Sequence, residues 1–201
     1  MQRFLKTVLA TAALLASAGA LADITIGVSL SLTGPGSGLG IPMNNGVKMW
    51  PATIGGEKIK VILLDDATDP TKGVQNARRL VNEDKVDVIV GSGVTPVAIA
   101  MADVAAEAKT VQLALSPIGL PAGKDAWTFR MPQSNAVMAN AMVAHMQKLG
   151  VKSVGFLGYT DAFGEQWLQA LTPLLDKAGI KLVGSERFAR ADTSVTAQAL
   201  K

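Results

Sequence analysis

The stretch from Val86 to Ala108 constrains the fold of this chain more than any other. An apolar, mostly β-branched run (Val86, Val88, Ile89, Val90) ends in the small-residue turn Gly91-Ser92-Gly93, and a helical pattern begins at once. A buried strand that feeds a helix in this way is the repeating step of a parallel α/β sheet. Thr95 and Pro96 predict the helix start, the threonine as N-cap and the proline at the first helical position, whose N–H has no intrahelical partner to lose. The free amides of that turn, together with the Thr95 hydroxyl, suit an anionic oxygen. In an open α/β sheet such a turn lies at the carboxyl edge of the strands, where small ligands bind.

The rest of the chain repeats the alternation. Residues 24–30 predict a strand, and Thr33 to Gly40 (T-G-P-G-S-G-L-G) predicts a loop. A helix is expected from Ile41 to about Trp50, ended by Pro51, and then a strand from Lys58 to Asp65. Asp69-Pro70 opens a helix with Val74, Ala77, Leu80 and Val81 on one face. A short strand, V-Q-L-A-L, leads to Ser116-Pro117, and an irregular segment follows to Arg130, with one extended piece at Trp127 to Arg130. Ser134 caps the next helix, which ends at Gly150. A strand from Ser153 to Gly158, a helix from Phe163 to Ala178 and a strand from Ile180 to Phe188 follow, and a last helix begins at Asp192. The rhythm restarts after residue 133, so the chain divides into a first lobe, 23–132, and the start of a second, 133–201.

The first 22 residues stand apart. Arg3 and Lys6 precede an apolar run, Thr7 to Ala18, and Ala20-Leu21-Ala22 supplies small residues at signal-peptidase spacing, so export and cleavage after Ala22 are expected. Removing that leader leaves 17 basic against 16 acidic residues, with no basic cluster, so neither nucleic acid nor a membrane surface is an implied partner. The chain has no cysteine, hence neither a disulfide framework nor a lipid attachment point at the cleavage site. A free periplasmic protein is the expectation.

Catalytic options are few. His145 is the only histidine and falls within a helical pattern, where a packed or half-exposed imidazole is expected. Without cysteine, ordinary zinc sites are nearly excluded, and no G-x-S-x-G elbow occurs. Asp65, Asp66 and Asp69 suggest a cation site, yet a strand end and a helix cap explain them more simply. A dinucleotide fingerprint fails in its detail, because the third glycine position falls on Leu39 or Ile41. No metal or cofactor is therefore expected. Binding chemistry is better supplied: Ser92 and Thr95 at one strand end, Ser116 at the next, and Tyr159, Thr160 and Asp161 at a third are set to meet at one edge.

Taken in order, the strand, T-G-P loop, D-D-A-T-D-P, V-G-S-G-V-T-P, L-S-P and, later, G-Y-T-D-A-F-G-E (Gly158 to Glu165) resemble the type I periplasmic solute-binding proteins. The closest class is the branched-chain amino-acid receptors of ABC importers. The resemblance implies a two-lobed α/β fold, parallel sheets flanked by helices, that shuts on its solute by hinge motion and passes it to a membrane permease without catalysis. It further implies that the carboxylate of a small amino acid, or of a related acid or amide, is held by the turn Ser92, Gly93, Val94 and Thr95 and by Ser116, Pro117 and Ile118. The second lobe would add Gln133, Tyr159 and Phe163. A ligand-sensing domain of the same fold is the alternative.

Several positions depart from that pattern. No hydroxyl stands at Leu120, which leaves the main-chain groups of Ile118; an expected tyrosine is Phe163, an expected aromatic is Leu39, and an expected acid is Asn135. With no visible partner for an α-ammonium, the pocket is expected to favour an aromatic or aliphatic carboxylate or an amide. Family members run to about twice this mature length, which predicts that the second half of the fold is missing, with an exposed sheet edge and weak or absent solute binding.

Overall fold

The computed structural model describes residues 23–201, so the expected signal peptide lies outside the described residues. Fourteen elements follow in chain order: β1 (Ile24–Leu30), α1 (Ser37–Val47), β2 (Thr53–Ile54), β3 (Glu57–Asp65), α2 (Pro70–Asn82), β4 (Val88–Gly91), α3 (Thr95–Ala108), β5 (Val111–Ala114), β6 (Thr128–Arg130), α4 (Asn135–Lys148), β7 (Ser153–Tyr159), α5 (Ala162–Ala178), β8 (Lys181–Phe188) and the single turn α6 (Thr196–Ala199). Six strands form one sheet in the order β2-β3-β1-β4-β5-β6, and β7 and β8 form a second. Every pairing is parallel except the short β2–β3 ribbon. The α/β class read from the alternation is the class observed.

Register brings the site together. Ser29 of β1 stands opposite Gly91 of β4, Leu30 opposite Asp65 of β3, and Val90 opposite Leu113 of β5. The carboxyl ends of β1, β3, β4 and β5 therefore share one edge. From β1 the chain passes outward to β3 and then back across to β4, so the crevice at that edge is the topological switch point of the sheet.

Helices cover both faces. Ala77 and Leu80 of α2 pack with Val97, Met101, Val104 and Ala105 of α3 against Ile89, and Val74 and Val81 border that core. On the other face Val28, Leu30 and Val90 meet Met43, Val47 and Trp50. Each fully buried large side chain here contributes about 1.5–3 kcal/mol of hydrophobic stabilisation. The second sheet has its own core, with Ala139 and Val143 of α4 against Leu171 and Leu175 of α5. Among the described residues no helix is long and apolar enough to cross a membrane.

Three expectations about local structure are corrected. The glycine-rich segment is not all loop, because α1 already begins at Ser37, with Gly36 as its cap. A Cβ on Gly40 would lie 2.0 Å from the Ser31 carbonyl oxygen, so glycine is needed there for helix-to-strand contact rather than for turning. The same helix ends at Val47 instead of Trp50, closing through short-range bonds from Met49 and Trp50 to Gly46 and Val47. The helix expected from Asp192 is confined to Thr196–Ala199; before it, Ala189 and Asp192 bond each other in a tight turn.

Candidate functional site

The site is a cleft of about 610 Å³ between the carboxyl edge of the first sheet and the carboxyl end of the second. One wall is built from Pro35, Gly36, Leu39 and Met43 of the first loop and helix, with Gly93, Thr95, Leu115 and Pro117 from the ends of β4 and β5. The opposite wall carries Tyr159, Phe163, Trp167 and Arg190, and Pro132 and Met138 lie between the two. Tyr159 and Phe163 have ring centroids 6.3 Å apart, as do Phe163 and Trp167. Among the described residues no aspartate or glutamate lines this cleft.

Thr95 is not the N-cap that its sequence context predicts. Val94, in extended conformation, is the cap, and Thr95 is the first helical residue. The Ser92 hydroxyl accepts from the Val94 N–H at 3.3 Å and holds the turn from outside the helix. The Thr95 hydroxyl has no hydrogen-bond partner among the described residues, on a side chain only 1% exposed. Ser116, also 1% exposed, carries a second unpartnered hydroxyl on the adjoining strand end. A buried hydroxyl with no acceptor or donor costs about 1–3 kcal/mol, and of these two residues Thr95 lines the cleft.

Other expected ligand contacts are used within the protein. The Ser92 hydroxyl donates to Asp66 at 2.8 Å, which takes it out of the cleft. Asp66 is fully buried and also accepts from Ser29, Ser31 and the Thr68 amide, so it joins the ends of β1, β3 and β4. The Val94 side chain belongs to the core, and its carbonyl accepts from Ala98. Ile118 donates its N–H to Ser116 and gives its carbonyl to Arg130, so neither main-chain group remains for a solute. Gln133 is exposed and lies off the cleft lining. Gly93, Thr95, Pro117, Tyr159 and Phe163 do line the cleft, whereas Ser116 is buried between the lining residues Leu115 and Pro117 and is not itself part of the lining.

Asp161 caps α5 by accepting from Phe163 and Gly164, and it pairs with Arg190. Asp69 caps α2 through Thr71 and Lys72, and those amides hold its carboxyl below the ordinary value. Asp65 accepts from Leu32, Thr33 and Ala67. Burial pushes the Asp65 carboxyl up, but the Thr33 hydroxyl and those three amides more than offset it, so the carboxyl lies below its ordinary value. All three acidic residues of the suspected cation site thus have donors from their own chain. His145 is exposed on α4, not packed or half-buried as the helical pattern led us to expect.

Three contributors escaped sequence reading. Gln112 is fully buried and donates to Gly91 and Ala98 while accepting from Thr128, so it ties the end of β4 to the first turn of α3. Trp167 lies on the apolar side of α5, against the second core, and carries no motif of its own. Arg190 lay in the run-up to the expected last helix and carried no motif. Two further hollows adjoin the cleft. One, about 490 Å³, is walled by apolar side chains of the second sheet and its helices and has no unpartnered polar group. The other, about 390 Å³, lies beside Pro117 and Arg130 and takes the buried, unpartnered carbonyl of Asn135. At its rim the Gly119 amide donates to Gln166 and the Gln166 side chain donates back to the Gly119 carbonyl, linking the two walls.

The family profile described as periplasmic binding protein matches residues 23–201. A Leu/Ile/Val-binding protein homologue from Brucella melitensis is 28% identical over 194 residues, covering 92% of this chain and 52% of its own length. An extracellular ligand-binding receptor from Rhodopseudomonas palustris superposes with a TM-score of 0.86 at 43% identity, over 89% of this chain and 50% of that one. A solute-binding protein of an ABC transporter from the same species, solved with 3,4-dihydroxybenzoic acid, gives a TM-score of 0.81 at 26% identity, over 89% of this chain and 50% of that one. The chain spans about half the length of the curated relatives it matches.

Proposed function

Because the chain belongs to the periplasmic binding protein family, a family of solute-binding receptors rather than enzymes, we propose that it serves as a solute receptor of an ABC importer. In this reading it binds a small monocarboxylate, aromatic or aliphatic, between two lobes, residues 23–132 and 133–201. The lobes shut by hinge motion, and the closed receptor presents its solute to the permease. The signal peptide expected at residues 1–22 would deliver it to the periplasm, the compartment for which the family is named.

One observation carries the reading: Gly93 and Thr95, at the start of α3 and with the Thr95 hydroxyl buried and unpartnered, share the cleft lining with the aromatic rings of Tyr159, Phe163 and Trp167. In this reading a carboxylate at the start of α3 accepts from the Thr95 hydroxyl as the lobes shut and meets the positive end of the helix, which relieves the cost of leaving that hydroxyl unpaired. The apolar remainder of the solute is covered by Tyr159, Phe163, Trp167, Leu39 and Met43. An α-amino acid fits less well, because an ammonium group meets no carboxylate on the lining. The relative solved with 3,4-dihydroxybenzoic acid supports an aromatic acid.

Thermal melting of the purified protein tests this. Benzoate, hexanoate, leucine and benzyl alcohol at 10 mM keep dissociation constants near 1 mM within reach: occupancy at that ratio adds about 1.4 kcal/mol, or a rise of roughly 3–6 °C. Benzoate or hexanoate is expected to give that rise, and leucine and benzyl alcohol less than about 1 °C. A rise confined to leucine and its close analogues overturns the carboxylate reading.

A further inference from the structure

Arg190 is the cation of the cleft lining among the described residues, and its surroundings fix it there. It follows β8 in the tight turn closed by Ala189 and Asp192. Its Nε donates to Asp161 Oδ2, while Asp161 Oδ1 accepts from the Phe163 and Gly164 amides at the start of α5. The guanidinium carbon lies 4.0 Å over the Tyr159 ring centroid and 5.7 Å from that of Phe163. One carboxylate and two rings thus hold the planar group, and its side chain is only 15% exposed. The two Nη groups make no hydrogen bond among the described residues and are not fully buried, on a residue that lines the cleft. Phe163 lacks the hydroxyl that a tyrosine there would offer them.

We propose that Arg190 determines specificity by donating from Nη to a second acceptor oxygen on the solute, at the end away from the carboxylate held at the start of α3 beside Gly93 and Thr95. This rests on the carboxylate reading and narrows it to acids that carry a ring hydroxyl or similar acceptor opposite the carboxylate. Arg190 and Thr95 both line the cleft, with Tyr159, Phe163 and Trp167 on the Arg190 wall, so a rigid solute with oxygen at both ends satisfies both polar poles at once. An acid with a methyl group in the second position leaves the Nη donors dehydrated and unpaired.

Titration calorimetry with 4-hydroxybenzoate and 4-methylbenzoate, which match in size, tests the assignment. The unsubstituted protein is expected to prefer 4-hydroxybenzoate by about tenfold or more, as a hydrogen bond from a charged donor allows. In Arg190→Met the preference falls to within about threefold while the 4-methylbenzoate affinity is kept within about threefold. Should the Met variant fail to fold, as its melting will tell, Arg190→Lys serves: one ammonium cannot face Asp161 and the solute together, and the preference collapses likewise. Equal affinities in the unsubstituted protein, or a preference that survives substitution, overturn the role of Arg190. An equal loss for both acids in a folded variant also overturns it, since Arg190 would then hold the carboxylate. If neither acid binds the unsubstituted protein, the carboxylate reading itself fails and the Arg190 assignment with it.

Discussion

Thr95→Val and Ser92→Ala, two neighbouring hydroxyl deletions, are expected to act in opposite ways. In the ligand-free protein the Thr95 hydroxyl is buried without a partner, and a methyl group of the same shape removes a cost of about 1–3 kcal/mol. Thr95→Val is therefore expected to melt at the same temperature or up to several degrees higher, at about 2–4 °C per kcal/mol for a chain of this size. Its carboxylate affinity falls, because the lost bond to a charged acceptor is worth about 1.5–3 kcal/mol, or about 10- to 150-fold in Kd. Ser92→Ala removes a 2.8 Å bond to the buried Asp66 and strips the Val94 amide of its acceptor. That variant is expected to lose about 2–4 kcal/mol of stability, a drop of roughly 5–15 °C. At a concentration that keeps it folded, its affinity changes by less than about fivefold, since its hydroxyl never faces the cleft. Melting by circular dichroism and binding by calorimetry on both variants decide the matter. If Thr95→Val melts more than about 5 °C lower with its affinity intact, the Thr95 hydroxyl is structural and the reasoning about the site fails.

Three further outcomes are expected. Gly91→Ala faces a φ of +121° and a Cβ 2.0 Å from the Ser29 carbonyl oxygen, so it should cost about 3 kcal/mol or more; a melting temperature within 2 °C of the parent would contradict this. The lowered pKa of Asp65 contributes stability that is complete above about pH 4 and is lost as pH falls through the folded-state value. Thr33→Val weakens that contribution, so the variant melts below the parent at pH 7 and the gap closes on acidification below about pH 4. A gap independent of pH would show that Asp65 is not its source. Gln166→Ala removes both bonds to Gly119 that link the two walls, and should weaken solute binding about threefold to tenfold with little change in melting. An unchanged Kd would mean that this link does not favour closure.

The α/β alternation was legible because each step of it is written locally. β-branched runs, the Asp69-Pro70 and Ser134 helix starts and the Gly150 and Gly179 ends each depend on a few adjacent residues, and all lie where the sequence put them. The first helix was misread for a reason that is not local. Glycines at 34, 36, 38 and 40 read as loop, yet Gly40 answers to the Ser31 carbonyl on another element. The last helix failed because the chain from Ala189 to Asp192 folds back on itself before it can start.

The site was legible as a place but not as a set of donors. Ser92 and Thr95 are indistinguishable in the sequence as hydroxyls in one turn. What separates them is a carboxylate 26 residues upstream of Ser92, on the end of a different strand, which accepts from Ser92 while the Thr95 hydroxyl has no partner among the described residues. Arg190 follows the same logic from the other wall, since it gains its fixed orientation from Asp161, 29 residues away. In both cases the acid lies off the cleft lining, Asp66 fully buried and Asp161 partly so, and takes up a neighbouring donor. Asp66 takes Ser92 and leaves Thr95; Asp161 takes Nε and leaves Nη. A carboxylate on the lining itself would instead have repelled an anionic solute, so the acids organise the cleft from positions where their charge is already met by the chain's own donors. This arrangement makes the two poles separable by experiment: changing Thr95 alters how tightly any acid binds, and changing Arg190 alters which acid is preferred.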